Sequence, residues 1–181
     1  MQPTIGLLEF TSIAKGIEAT DAMLKKAQVD LLLAKTICSG KYLTIITGYV
    51  QAVEDAVSAG ISTAGANCID HIVIPNLHPD IIPALTATTG ASLDEALGII
   101  ETYTVASCIN AADIAAKSGS IRLLEIRPAV GLGGKSFVTF TGDVASVQSA
   151  LELGAEYPKS QGVLLQKVII PHPIRKIAEI I

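Results

Sequence analysis

The sequence predicts an α/β (α+β) protein built from two copies of one ferredoxin-like domain in tandem. The first observation is an internal repeat, in which residues 97–101 (LGIIE) match residues 5–9 (IGLLE). The second is the order of strand and helix patterns in each copy, β-α-β-β-α-β, which is the ferredoxin-like unit. A repeat of this length indicates two domains that fold on the same plan.

The repeat extends through most of the chain and is interrupted in one loop. Residues 37–41 read ICSGK, whereas the matching residues 129–135 read AVGLGGK and are two residues longer. Insertions are tolerated in exposed loops and are costly in strands, so we expect this loop to be exposed. The matched pairs are Asp21 with Asp113, Lys25 with Lys117, Gly40-Lys41 with Gly134-Lys135, Thr47-Gly48 with Thr141-Gly142, Gly60 with Gly154, Ile74-Pro75 with Ile170-Pro171, and His78-Pro79 with His172-Pro173.

Each element of the first copy has its own signal. A strand is predicted from Ile5 to Phe10, followed by a helix that Ser12 caps and that carries Ile13, Ile17 and Met23 at helical spacing. A hairpin of residues 29–37 and 42–47 follows, then a helix at 50–64, a strand at 69–74 and a short helix after Pro79. The boundaries predicted are domain 1 at 1–86, a linker at 87–95 and domain 2 at 96–181.

The composition indicates that apolar surface is buried in subunit contacts. Half of the 181 residues are hydrophobic, 17% are charged, and the mean hydropathy is +0.51. No stretch reaches the ~18 apolar residues of a membrane span, so we expect no membrane segment. Contacts between subunits would bury the apolar surface that this composition implies and would account for the high hydropathy. The alternative to assembly is a small, Ala-rich fold in which an aliphatic core alone accounts for the hydrophobic content.

Charge and cysteine content exclude other classes. The net charge of −4, the 4% of aromatic residues and the lack of Trp argue against a nucleic-acid partner. The three cysteines, Cys38, Cys68 and Cys108, have no CxxC spacing, and the first residues show no pattern typical of a signal peptide, so we expect none. We therefore expect a cytoplasmic protein with reduced thiols.

Several motifs together resemble the shell domain of bacterial microcompartments. They are the opening GLLE, residues 21–25 (DAMLK), Gly40-Lys41, residues 48–50 (GYV) and residues 73–75 (VIP). The resemblance covers nearly the whole chain twice, and the two glycine loops are similar to those of the tandem-domain PduT type of propanediol-utilisation compartments. It implies a homotrimer that forms a pseudo-hexameric tile and contacts neighbouring shell proteins in a sheet around encapsulated redox enzymes. Lys25 and Lys117 match the tile-edge lysines of the family.

The resemblance also implies a central pore lined by the glycine loops. The implied pore residues are Ser39, Gly40, Lys41, Gly131, Leu132, Gly133 and Gly134. Cys38 occurs in the first copy only, and threefold symmetry would bring three of its thiols together. The PduT type is associated with a [4Fe–4S] cluster, one per trimer, and its pore cysteine matches Cys38. A free pore thiol or an adventitious zinc site remains the alternative, because three thiolates also bind Zn²⁺.

Other motifs do not predict an enzyme. Residues 129–136 fit a relaxed P-loop pattern, but a strand rather than a helix is predicted after Lys135. Glu9 and Glu101 recur symmetrically, which favours a structural hydrogen bond, and the histidines lack a metal spacing. Cys108 matches Gly16 and is predicted to lie in the core. Two hypotheses remain besides the cluster-bearing tile: a plain pore-forming tile that conducts metabolites, and an oligomeric small-molecule sensor with the same fold.

Overall fold

The computed structural model describes residues 3–179, which divide into two compact units. Unit 1 contains the chain up to Leu77 together with the loop Ala129–Gly134. Unit 2 contains His78–Pro128 and the chain from Lys135 onward. Residues 78–86, which the sequence analysis assigned to domain 1, thus belong with the second copy, because the helix they contain packs against unit 2.

The elements of unit 1 follow the predicted order. They are β1 (Thr4–Phe10), α1 (Ile13–Lys26), β2 (Asp30–Ile37), β3 (Lys41–Gly48), α2 (Val50–Ala64) and β4 (Cys68–Ile74). A one-turn 3-10 helix, Cys38–Gly40, connects β2 to β3. The bounds of α2 agree with the prediction, and Ser12 caps α1 as expected, since its hydroxyl accepts a bond from the Lys15 amide at 3.3 Å.

Unit 2 begins with a short additional helix and then repeats the same order. Its elements are α3 (Ile81–Leu85), β5 (Ala96–Thr102), α4 (Val105–Ser118), β6 (Arg122–Arg127), β7 (Ser136–Gly142), α5 (Val144–Ser160) and β8 (Leu164–Ile170). A 3-10 segment, Arg175–Glu179, follows β8. Because β7 is a strand, no helix begins at Lys135-Ser136, and the rejection of a P-loop is confirmed.

Both units contain a four-stranded antiparallel sheet of the ferredoxin-like type. The strand order is β2-β3-β1-β4 in unit 1 and β6-β7-β5-β8 in unit 2. The paired helices of each unit pack against each other and against one face of its own sheet. The predicted fold class is therefore confirmed.

Alternation along β1 places different chemistry on the two sides of the sheet. Leu8 and Phe10 belong to the apolar cluster with residues of α1 and α2. Successive side chains of a strand point to opposite faces, so Leu7 and Glu9 lie on the side away from the helices. Both of these side chains are nonetheless fully buried. A buried carboxylate in the central region of a sheet requires a partner, which is described below.

The predicted apolar stripe of α1 differs from the buried one. The buried positions are Gly16, Ala19, Thr20 and Met23. Ile13 and Ile17 are 38% and 55% exposed. At 3.6 residues per turn, these two isoleucines lie about a quarter turn away from the buried stripe. The helix thus has two adjacent apolar faces, and periodicity alone did not show which one faces the sheet.

The buried cysteine of the second copy, Cys108, stands where the first copy has Gly16, and the residue opposite it on the strand is also exchanged. A β-carbon on Gly16 would lie 2.6 Å from the ring of Tyr42, so the close approach of α1 to β3 requires glycine there. In the second copy the pair is Cys108 with Ser136, and both are buried. Serine is smaller than tyrosine, so this position of the second copy can hold a residue larger than glycine. The burial of Cys108 confirms the core position predicted for it.

The register of the sheets changes the alignment of the two copies after their last strands. Ile74 pairs with Ile5, and Ile170 pairs with Leu97, so these residues are structural counterparts. Both strands are followed by the same bend, and the next turns close by Ile81 N to His78 O and by Ile177 N to Ile174 O. The counterpart of His78 is therefore Ile174, and the predicted match of His78 with His172 is wrong by two residues.

Candidate pore and metal site

The loop that carries Cys38 has a strained, fixed backbone. Ser39 and Gly40 both lie in the left-handed region, with φ of 66° and 70°. Few non-glycine residues adopt this conformation, which costs on the order of 1–2 kcal/mol. The turn places Cys38 immediately before two residues that reverse the chain.

The longer glycine loop of the second copy packs against this turn within unit 1. The Cys38 amide donates to the Ala129 carbonyl at 2.7 Å, and the Gly131 amide donates to the Cys38 sulfur at 2.8 Å. Gly131, Gly133 and Gly134 have φ of 74°, 62° and 89°. The predicted pore residues of the two loops are thus brought together around Cys38. Their pore-lining role stays a prediction.

The electrostatics of this loop favour a thiolate at Cys38. The amide of Gly131 is the largest cause that lowers the Cys38 pKa, followed by the amide of Leu132. Cys38 is half-buried, so it is accessible to solvent. A lowered pKa and an accessible sulfur are the properties of a cysteine that binds metal or reacts. Sequence reasoning missed this contact, although the inserted glycines were its visible signal.

A buried ion pair fixes the end of the same loop. Lys41, the first residue of β3, contacts Glu9 at 2.8 Å between Nζ and Oε1. The Glu9 side chain is fully buried and that of Lys41 is 19% exposed. The second copy repeats the pair as Lys135 and Glu101, at 3.5 Å and with both side chains partly exposed. Each glutamate pairs with the lysine that begins the next strand, which agrees with the structural role predicted for both, and the pore-lining role of Lys41 stays a prediction.

The predicted tile-edge lysines lie at corresponding ends of α1 and α4. Lys25 is 76% exposed and contacts Asp21 at 2.6 Å, whereas Lys117 contacts the buried Asp113. Asp113 also accepts a bond from the backbone amide of His78 at 2.8 Å. A tile-edge role of the lysines stays a prediction.

The other cysteines and the histidines do not join Cys38. Burial raises the pKa of Cys68 and, in the interior of unit 2, raises that of Cys108 to about 12. His78 accepts a bond at Nδ1 from the Asp80 amide at 3.3 Å, so its ring takes part in the turn that precedes α3. Within residues 3–179 no group of three or more His, Cys, Asp or Glu is placed to hold a metal ion. A cluster at Cys38 therefore requires thiolates from other copies of the chain.

Comparison with known proteins identifies the family. The model of the BMC domain matches twice, at residues 4–77 and 96–173. The microcompartment shell protein PduT of Citrobacter freundii is 44% identical over 96% of this chain and 94% of its own. The chain belongs to the BMC-domain family of bacterial microcompartment shell proteins.

Two solved structures agree with this membership. A microcompartment protein of Desulfitobacterium hafniense is 51% identical and superposes with a TM-score of 0.89 over 99% of both chains. A fused permuted hexameric shell protein of the RMM microcompartment is 18% identical, with a TM-score of 0.66 over 86% of this chain and 81% of its own. The second likeness is one of fold. The predicted resemblance to tandem BMC-domain shell proteins is confirmed. In the part of the chain that the structure describes, no helix has the length and apolar character of a membrane span.

The ion pair of Lys41 yields the first prediction. We expect Lys41→Met to lower the free energy of unfolding by about 3 kcal/mol, because it leaves the Glu9 carboxylate buried without this cation. Lys135→Met is the matched control and should cost less than about 1 kcal/mol, since its pair is partly exposed. Urea unfolding of both variants measures the difference. Equal losses would show that burial of Glu9 does not distinguish the two pairs.

The amides around Cys38 yield the second prediction. Only the thiolate is alkylated rapidly, and the pKa of Cys38 is lowered while that of Cys68 is raised. The alkylation rate of Cys38 by iodoacetamide should therefore rise at a lower pH than that of Cys68, and buried Cys108 should not react in the folded protein. Peptide mass spectrometry across a pH series measures each site. A Cys38 profile at or above that of Cys68 would contradict the electrostatics described.

Proposed function

We propose that the protein is a shell tile, a homotrimer of pseudo-hexameric outline that surrounds a central pore and contacts other shell proteins at its edges. In this arrangement three chains supply six BMC domains, and the loops around Cys38 line the pore. The observation that carries the proposal is the double BMC domain spanning the chain, in a protein whose relative PduT is named a shell protein.

Exposed apolar residues support assembly. Large side chains of unit 1 are exposed on α1 and β2, including Ile17 at 55% and Leu32 at 45%. Surface of this kind on a protein with only 17% charged residues is typical of subunit interfaces. Lys25 and Lys117 are the proposed tile-edge contacts, and the shell of a cytoplasmic bacterial microcompartment is the proposed location.

We further propose that three Cys38 side chains, one from each chain, hold a [4Fe–4S] cluster. The site fits such a group in three respects: the sulfur is accessible, its thiolate is favoured by loop amides, and thiolates are the usual cluster ligands. Three equivalent ligands would leave one iron for a ligand from outside the chain. The cysteine occurs in one copy only, so a trimer would contain three pore thiols and not six.

A bound cluster of this type exchanges single electrons, so the proposed role is electron transfer across the shell, to or from encapsulated redox enzymes. The residues of the chain would position the ligands. The left-handed turn at Ser39 and Gly40 would fix the backbone of Cys38, and the Gly131 amide would orient the Cys38 sulfur. No residue is assigned a catalytic role.

Iron and electron paramagnetic resonance (EPR) measurements test the proposal. We expect protein purified without oxygen to contain four irons and four sulfides per three chains. Reduction with dithionite should give the EPR signal of a reduced cluster. Cys38→Ser should abolish the signal, because it removes all three proposed ligands, while Cys68→Ser is the matched control and should retain it.

The outcome also separates the two kinds of tile. Iron that is retained in Cys38→Ser would contradict Cys38 as the ligand. Zinc in place of iron, or a thiol without metal, would leave a plain pore-forming tile that conducts metabolites. A cluster that cannot be reduced reversibly would contradict the electron-transfer role but not the site.

A further inference from the structure

The two copies bury equivalent surfaces to very different extents. On α1, Ile13 and Ile17 are 38% and 55% exposed, while their counterparts on α4, Val105 and Ile109, are fully buried. The strands that follow show the same contrast. Leu31 and Leu32 of β2 are 44% and 45% exposed, whereas Leu123 and Leu124 of β6 are 1% and 9% exposed. The sequence of the repeat is apolar at both places, so the difference lies in what covers them.

In unit 2 the segment after β4 contributes to this cover. Helix α3 packs against β6 and α4, and its Ile81 and Ala84 are fully buried. One polar contact holds the chain just before α3: the His78 amide donates to the Asp113 carboxylate at 2.8 Å. Asp113 is itself only 3% exposed. An apolar helical turn and a backbone-to-carboxylate bond together anchor the segment.

The structural counterpart of this segment is exposed. Residues 171–177 follow β8 as residues 75–81 follow β4, and they close the same turn, with Ile177 N donating to Ile174 O at 2.9 Å. Ile174 is 67% exposed, and Arg175 and Lys176 are exposed as well. Asp21, the counterpart of Asp113, has a side chain that is 60% exposed. One chain thus has an uncovered apolar surface and an exposed copy of the segment that covers the equivalent surface in unit 2.

We propose that the segment from Pro171 to Glu179 of one chain covers α1 and β2 of a second copy of this chain. In this contact the Ile174 amide donates to the Asp21 carboxylate of the partner copy, as the His78 amide donates to Asp113. The apolar turn at Ile177 packs over Ile13, Ile17 and the leucines of β2. The proposal rests on the homotrimer proposed above and names the residues that would join its chains.

The internal repeat determines the occupant. The surface of α4 and β6 is suited to the segment after β4, and α1 and β2 have the matched residues Asp21, Leu31 and Leu32. Such a contact is heterologous, with the segment of one chain on the face of the next, and heterologous contacts form a ring when the rotation between neighbouring chains closes. Three identical contacts of this kind would close a trimer in which every α1 face is covered.

Cross-linking of the full chain tests this pairing. In a background of Cys38→Ser and Cys68→Ser, where the only native cysteine is buried Cys108, we introduce Asp21→Cys with Ile174→Cys. The contact between His78 and Asp113 places their counterparts within reach of a short bis-maleimide. We expect covalent dimers and trimers on a denaturing gel. Glu54→Cys with Ile174→Cys is the matched control and should remain monomeric, because Glu54 lies on α2.

Sedimentation of the same proteins separates the inference from the trimer itself. If the background protein is a trimer but the variant with Asp21→Cys and Ile174→Cys cross-links no more than the control, the proposed pairing is overturned and the trimer stands. A monomeric wild-type protein would overturn both. As a second readout, Asp21→Ala should raise the concentration of half-dissociation by about tenfold relative to Glu54→Ala, through loss of a bond to a charged acceptor. Equal values for the two would count against the proposed bond.

Discussion

The Glu9 carboxylate is buried on the side of the sheet away from the helices, and its charge must be balanced there. Lys41 supplies a positive charge from the first residue of β3, one residue after the turn that carries Cys38, Ser39 and Gly40. The ion pair therefore sets the point at which the strand begins, and the turn before it has little freedom. The position of the candidate metal ligand thus depends on an ion pair that is not part of the proposed metal site.

Duplication explains why one chain contains two different versions of the same loop. The second copy keeps the pair as Lys135 and Glu101, at a longer distance and more exposed, and the loop before it is two residues longer. Its glycines adopt left-handed conformations that allow the Gly131 amide to approach the Cys38 sulfur. Divergence between the copies has thus produced one loop that carries the cysteine and a second loop that donates an amide to it. In an oligomer of single-domain chains, every subunit would have the same loop sequence.

The sequence predicted those features that local rules control. Side-chain size, residue spacing and the repeat itself were enough to predict four of them. These are the cap at Ser12, the bounds of α2, the strand after Lys135 and the core position of Cys108, which stands where the first copy has Gly16. The apolar face of α1 could not be predicted in this way, because Ile13 and Ile17 have helical spacing whether they face the sheet or another chain. The match of His78 with His172 also failed, since strand register rather than residue identity decides structural equivalence. The contact between Gly131 and Cys38 spans residues far apart in the sequence. The inserted glycines mark the second loop as different, but they do not show which residue it contacts.

A shell tile, as proposed for this chain, must extend into a sheet together with other tiles. Electron microscopy of concentrated full-length protein tests it most directly. We expect flat sheets or tubes with threefold units around a central pore, and fewer or smaller sheets for Lys25→Ala, whose side chain is proposed to contact the neighbouring tile. Discrete particles that never form a lattice at any concentration, in wild type and variant alike, would contradict the claim and favour an oligomeric sensor with the same fold.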